Sequence, residues 1–180
     1  MTQTAVTDRR ETVMDPQQVL AARADMAARE SGKVRTEGNV WMVVQFSINT
    51  EQYAIELLHI QEIFPLKELT EIPGAPAFIL GIVNMRGQII SVVDLRKLFD
   101  LPAQGLSEQN RIIVLRSPQM EFGILADAVQ GVRSIPEAET TPSLPTLTGI
   151  RQAFLKAISR DHTVILDGQK MLSDPMMVVK

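Results

Sequence analysis

A chain of 180 residues with 45% apolar, 22% charged and 4% aromatic side chains can form one globular domain, or two small subdomains on a shared core. A net charge of −3 and a pI near 5.4 give no basic field to attract nucleic acid or anionic lipid, and the few aromatics leave little for base stacking. With no cysteine there is no disulfide, thiolate metal site or cysteine nucleophile; no apolar run reaches the ~20 residues of a membrane span, so a cytoplasmic protein is expected.

Residues 1–39 are polar and mixed in charge, and nothing in them resembles a strand. Asp15-Pro16 is a good helix start, Gln17–Glu30 favours helix, and Ser31-Gly32 ends it. This predicts an arm, partly helical around 15–30, that is either loosely attached or a docking helix for a partner.

From Trp41 the pattern changes to short β-branched runs. Trp41–Ile48, Tyr53–Glu56 and Ile60–Phe64 read as strands, and Ile72-Pro-Gly-Ala-Pro76 as a rigid extended connection. Ile79–Val83 and Ile89–Val93 flank Asn84-Met85-Arg86-Gly87-Gln88, a hairpin with Arg86 at or beside its tip and Gly87 supplying the positive φ. Asp94 then caps a helical turn at Leu95–Phe99. Pro102–Gln109 is a loop, followed by strands at Asn110–Arg116, Glu121–Ala126 and Ala128–Ile135. The three prolines of Pro136–Thr148 discourage any regular element there. Phe154–Ile158 and Thr163–Leu166 make a hairpin around Arg160-Asp161, before a last helical turn at Gln169–Leu172. Many short strands separated only by turns argue for antiparallel barrels rather than a βαβ sheet.

The two halves echo one another. Tyr53–Ile63 matches Phe122–Val132 as aromatic, small, Ile, four variable residues, branched, Gln, any, branched. Asp94-x-x-Lys97-Leu98-Phe99 matches Asp167-x-x-Lys170-Met171-Leu172. Two related small β-barrels are expected, and each is too small for an independent core, so the pair should pack together or exchange strands.

Catalytic motifs are missing. There is no G-x-S-x-G, no phosphate-cradling G-x-x-x-x-G-K and no HExxH, and the only histidines are His59, expected to be structural, and His162, expected to be solvated. No catalytic, cofactor-binding or metal-binding residues are assigned, and no enzyme activity is expected. Glu62 and Arg86 remain, opposite in charge and each beside apolar strand residues. They either pair to fix register, or form the polar centre of a protein–protein surface ringed by Ile60, Ile63, Ile82 and Val83.

The chain resembles the CheW family of bacterial chemotaxis coupling proteins. The resemblance is carried by Val43-Val-Gln-Phe46, Tyr53-Ala-Ile55, Ile60-Gln-Glu-Ile63, Ile72-Pro73, Pro76-x-Phe78-Ile79-x-Gly81-Ile82-x-Asn84-x-Arg86-Gly87 and Val93-Asp94-Leu95-Arg96. Phe122-Gly-Ile124, Asp127-x-Val129 and Ile165-Leu-Asp167 extend it, so that it spans about residues 40–174. It implies an all-β fold of two five-stranded, SH3-like barrel subdomains, intertwined around a shared apolar core, between an arm at 1–39 and a tail at 175–180. It also implies a non-enzymatic adaptor, without cofactor, at cytoplasmic chemoreceptor arrays. Its partners would be the chemoreceptor tip, the regulatory domain of a CheA-type histidine kinase and other CheW-like domains in arrays. By motif match, Glu62 and Arg86 are the charged pair on which coupling depends, and Ile60, Gly81, Asn84 and Gly87 belong to the surrounding partner surface. The alternative is a small-barrel module for a small ligand or oligonucleotide. Four positions depart from the pattern: Ser91 stands where proline is usual, Ala54 and Ala157 where glycine is frequent, and Gly168 where an apolar residue is usual.

Overall fold

The computed structural model describes residues 38–142 and 149–177, with Ala21 standing alone before them. The helix expected around 15–30 otherwise lies outside these residues. Eleven strands are described: β1 (Val40–Ile48), β2 (Glu51–Glu56), β3 (Ile60–Pro65), β4 (Ile79–Met85), β5 (Gln88–Val93), β6 (Arg111–Arg116), β7 (Glu121–Ala126), β8 (Ala128–Pro136), β9 (Thr140–Thr141), β10 (Leu155–Ser159) and β11 (Val164–Leu166). Three one-turn helices accompany them: α1 (Leu95–Leu98), α2 (Ile150–Ala153) and α3 (Gly168–Met171).

The strands form two sheets, ordered β8-β1-β2-β11-β10-β9 and β3-β6-β7-β5-β4. The first, the terminal barrel, takes strands from both ends of the chain; the second, the central barrel, takes the middle. The chain crosses between them twice, from β2 through a 3-10 turn at Leu57–His59 into β3, and from β7 through Asp127 into β8. The sequence echo at Tyr53–Ile63 and Phe122–Val132 is these two crossings. Its paired glutamines are the bulged residues: Gln61 is skipped where β3 pairs β6, and Gln130 where β8 pairs β1. The parallel ladders agree in register too, Val92 and Val93 facing Gly123 and Ile124, as Ile165 and Leu166 face Ala54 and Ile55. Each half of the chain has therefore given its first hairpin, β1–β2 or β6–β7, to the other's barrel.

Strands buried on both faces follow from this exchange. Val44, Phe46, Tyr53 and Ile55 of the terminal barrel meet Ile60, Ile113, Leu115, Phe122 and Ile124 of the central one in the largest apolar cluster among the described residues. The alternate residues fill the barrel interiors: Ile112, Val114 and Leu125 in the central barrel, Val43, Ala54, Ala157 and Ile165 in the terminal one. Tyr53 sits at the centre of the joint, with its ring 6.0 Å from Phe46 and 6.3 Å from Phe99.

Buried polar groups fasten the second crossing. Arg96, 2% exposed, donates from Nε to Asp94 Oδ1 at 2.9 Å and from Nη1 to the Gln104 carbonyl at 3.0 Å, and lies 3.6 Å from Asp127. Asp127 accepts from the Asn49 amide at 2.6 Å and from Asn110 Nδ2 at 3.1 Å. Because Asn49 turns β1 into β2 and Asn110 precedes β6, this network joins the two barrels. Asp94 and Asp167 both cap their helical turns, accepting from the amides of Arg96 and Lys170.

Several expectations need adjusting. The segment after Pro136 is not irregular throughout: a 3-10 turn at Glu137–Glu139 leads into β9, which pairs with β10. Pro136 and Pro142 flank this element rather than interrupt it, and residues 143–148 lie outside the described ones. With β9 the terminal sheet has six strands instead of five. Helix α2 was not anticipated; Arg151 on it donates to Glu51 and, at 2.8 Å, to the Tyr53 hydroxyl. The segment read as a tail from 175 begins with a 3-10 turn that buries Met177 in the shared core.

Gly168 has a reason to be there. A Cβ at this position would lie 2.7 Å from Cδ2 of His59, so the imidazole occupies the space that an apolar side chain would take. Gly168→Ala is expected to lower unfolding free energy by about 1–3 kcal/mol, through overpacking. In a His59→Ala background the same change should lose most of that cost, and a double-mutant cycle from urea melts measures the difference.

Candidate functional site

The central barrel's edge strands are β3 and β4, and its seam runs between them. The chain leaving β3 doubles back so that Thr70 and Ile82 exchange backbone hydrogen bonds of 2.9 and 2.8 Å along the outer edge of β4. Gly81 makes this approach possible: a Cβ there would lie 2.4 Å from the Thr70 carbonyl oxygen. The terminal barrel repeats the device, with Thr141 of β9 paired to Ile158 of β10.

At the tip of the β4–β5 hairpin Met85 pairs with Gln88, leaving Arg86 and Gly87 as the two central residues at φ of 53° and 86°. This is the primed turn that matches the twist of the strands. Asn84 Oδ1 accepts from the Gly87 amide at 2.8 Å and closes it. From the tip, Arg86 Nη2 donates to Glu62 Oε1 on β3 at 2.9 Å, across the seam. The two side chains are unequally placed, Glu62 being 14% exposed and Arg86 76%. Glu62 is the seated partner, and the guanidinium stands in solvent.

Energetics separate the two readings of this pair. An ion pair so exposed contributes about 0–1 kcal/mol to stability. A non-glycine residue in the left-handed region costs on the order of 1–2 kcal/mol, and Asn or Gly would suit the position better. Holding arginine there does not help the fold, which favours a role for its outward face.

The structure brings four of the nominated residues together and places two, Gly81 and Ile60, beneath them. Glu62, Arg86, Asn84 and Gly87 share the seam's outer rim, whereas Gly81 is buried under Thr70. Of the expected apolar ring, Ile60 is fully buried and Ile63 and Val83 nearly so, supporting β3 and β4 from inside, while Ile82 alone is part-exposed. The exposed apolar neighbour is instead Ile89, 60% exposed and directly opposite Asn84. The sequence did carry a signal for it, since Ile89 precedes Ile90 in a strand whose alternation buries only the second. Among the described residues no group of three or more His, Asp or Glu side chains could hold a metal ion, and no helix is long and apolar enough to cross a membrane.

With this geometry in hand, comparison with known proteins is decisive. The family model described as the CheW-like domain matches residues 42–176. The chain belongs to the CheW-like family. The chemotaxis protein CheW of Klebsiella aerogenes is 32% identical over 142 residues, covering 74% of this chain and 82% of that protein. The Treponema pallidum chemotaxis protein CheW is 26% identical over 140 residues, with the same coverage of 74% and 82%. The crystal structure of the scaffolding protein TtCheW from Thermoanaerobacter tengcongensis is similar with a TM-score of 0.63 and 35% identity, covering 71% of this chain and 88% of that one. This CheW-like chain is accordingly a chemotaxis scaffold, coupling receptors to the kinase CheA.

His59 ends the 3-10 turn just before β3, three residues before Glu62, and is 8% exposed. Burial lowers its pKa below the ordinary histidine value; Glu56, 3.9 Å from Nε2, and Asp167 act against this, while Lys156 adds to it. The unfolded chain therefore binds the proton more readily than the folded one. Stability should be complete above about pH 6.5 and fall as pH drops below it. Urea melts across this window should show the slope, and His59→Gln should flatten it.

Proposed function

We propose that the chain couples receptor to kinase through the rim of the central barrel, with Arg86 as the contact residue and Glu62 as the group that aims it. Asn84 and Gly87 hold the turn, Gly81 closes the seam that sets the spacing of β3 and β4, and Ile60 anchors β3 from within. The partners are the cytoplasmic tip of a chemoreceptor and the regulatory domain of a CheA-type kinase, met at cytoplasmic arrays that also hold other CheW-like domains. The folded unit runs from about residue 40 to Met177, which is buried in the shared core, and follows an arm at 1–39. No residue in this scheme does chemistry, so the chain acts by linkage: it transmits a signal to the extent that its contacts differ in free energy between kinase-on and kinase-off states.

The observation that carries this reading is the unequal exposure of the pair, a seated carboxylate under a solvent-facing guanidinium that the fold itself does not need. In a reconstitution of receptor, kinase and this chain, Arg86→Glu should leave the melting temperature nearly unchanged. It should raise the concentration needed for half-maximal kinase activation on the order of tenfold or more. Coupling equal to that of the unmodified chain would remove Arg86 from the site.

A ligand-binding module would behave differently. The chain should show no thermal stabilisation across panels of metabolites and oligonucleotides in the absence of kinase, whereas a ligand at a hundredfold its Kd would add about 2.7 kcal/mol.

A further inference from the structure

A row of charged groups runs from the terminal barrel to the crossing that leads into β3. Trp41 on β1 is the chain's only tryptophan, and Lys156 Nζ of β10 lies 4.6 Å from its ring centroid. The same ammonium donates to Oε2 of Glu56, at the end of β2, at 2.6 Å. That carboxylate oxygen also stands 3.9 Å from His59 Nε2, just beyond hydrogen-bond reach. Glu56, only 12% exposed, therefore holds Lys156 and lies within a short movement of the imidazole.

His59 sits where an added charge must be felt on both sides of the crossing. Its ring fills the space that a side chain at Gly168 would need, so the 3-10 turn at Leu57–His59 rests directly on the start of α3. Asp167, which caps α3 and lies 3.7 Å from Lys170 Nζ, acts on it from there. The ring also lines a surface cavity of about 410 Å³ with Ile60, Gln61, Arg116 and Ser117, which gives solvent a path to it. The charges around the ring are thus the anions Glu56 and Asp167 and the cations Lys156 and Arg116. Burial holds its pKa below the ordinary histidine value, so the imidazole is uncharged near neutral pH. Once it takes a proton, a single carboxylate stands between two cations. Glu56 then gains a charge-assisted hydrogen bond by closing on the imidazolium, and Lys156 loses its anion.

We propose that His59 is a proton-operated switch of the crossing: protonation draws Glu56 from Lys156 to the imidazolium, β3 shifts against the terminal barrel, and kinase binding weakens. The shift reaches the rim because β3 begins at the residue after His59 and carries Glu62. This rests on the reading that the central rim couples the chain to the kinase. Linkage makes the effect reciprocal, since a proton that weakens kinase binding is expelled by the kinase by the same factor.

Trp41 makes the relay visible. When the full chain is titrated from about pH 8 to about pH 5, tryptophan emission should change in one step below the ordinary histidine pKa of about 6.5, with circular dichroism unchanged. His59→Gln should lose the step because nothing takes the proton. Lys156→Met should lose it because no cation beside the indole responds, and this variant carries the test if His59→Gln folds poorly. Over the same range the kinase affinity of the unmodified chain should fall at least about threefold more than that of His59→Gln. Emission that does not titrate, or a step that survives in either folded variant, overturns the relay. A relay accompanied by equal pH dependence of kinase affinity in the two chains overturns the switch and leaves the proposed function standing. If the unmodified chain binds no kinase even at about pH 8, where the imidazole is uncharged, it is the proposed function that fails.

Discussion

Everything in this molecule depends on the apolar joint between its two sheets. Each barrel encloses only a small interior of its own, and the larger cluster lies between them, around Tyr53, Phe46 and Phe122. At roughly 25 cal/mol per Å² of apolar surface, a barrel interior of a few branched side chains is too little to hold a domain alone. The hairpin exchange removes the difficulty by making every central strand bury both faces, and it commits the two barrels to folding as one unit. The polar network of Asp94, Arg96, Asn110 and Asp127 works within that joint. A buried arginine satisfied by two carboxylates and a carbonyl does more for the geometry of the crossing than for net stability.

Much of this was legible from the residues, for identifiable reasons. Strands with strong β-branched alternation, such as Ile79–Val83 and Asn110–Arg116, declare themselves because their packing needs are local. The internal echo could be read because bulges and sheet switches demand particular residues, here Gln61 and Gln130, at fixed offsets. Depth was harder to see. Ile60 and Val83 read as surface beside the charged pair, but both point inward from edge strands, Ile60 into the joint between the sheets and Val83 into the central barrel's interior. Helix α2 and strand β9 escaped notice because each is too short for any periodic signal, and both depend on tertiary partners.

The partner surface proposed at Arg86 would be specified at little thermodynamic expense. Its parts are one turn type, one side-chain cap from Asn84 and one seated carboxylate. The arginine is displayed by a backbone conformation that the residue itself disfavours, which supports the proposed contact from outside.

Both outermost strands in sequence, β1 and β11, lie side by side with β2 in the terminal sheet, while β3 to β7 stay together in the other. The described polypeptide therefore enters the fold at β1 of the terminal barrel and leaves it at Met177 in the shared core, so neither entry nor exit interrupts the strands that carry the Arg86 rim. A label intended to spare that rim belongs in the exposed Pro102–Gln109 connection, which enters and leaves the central barrel.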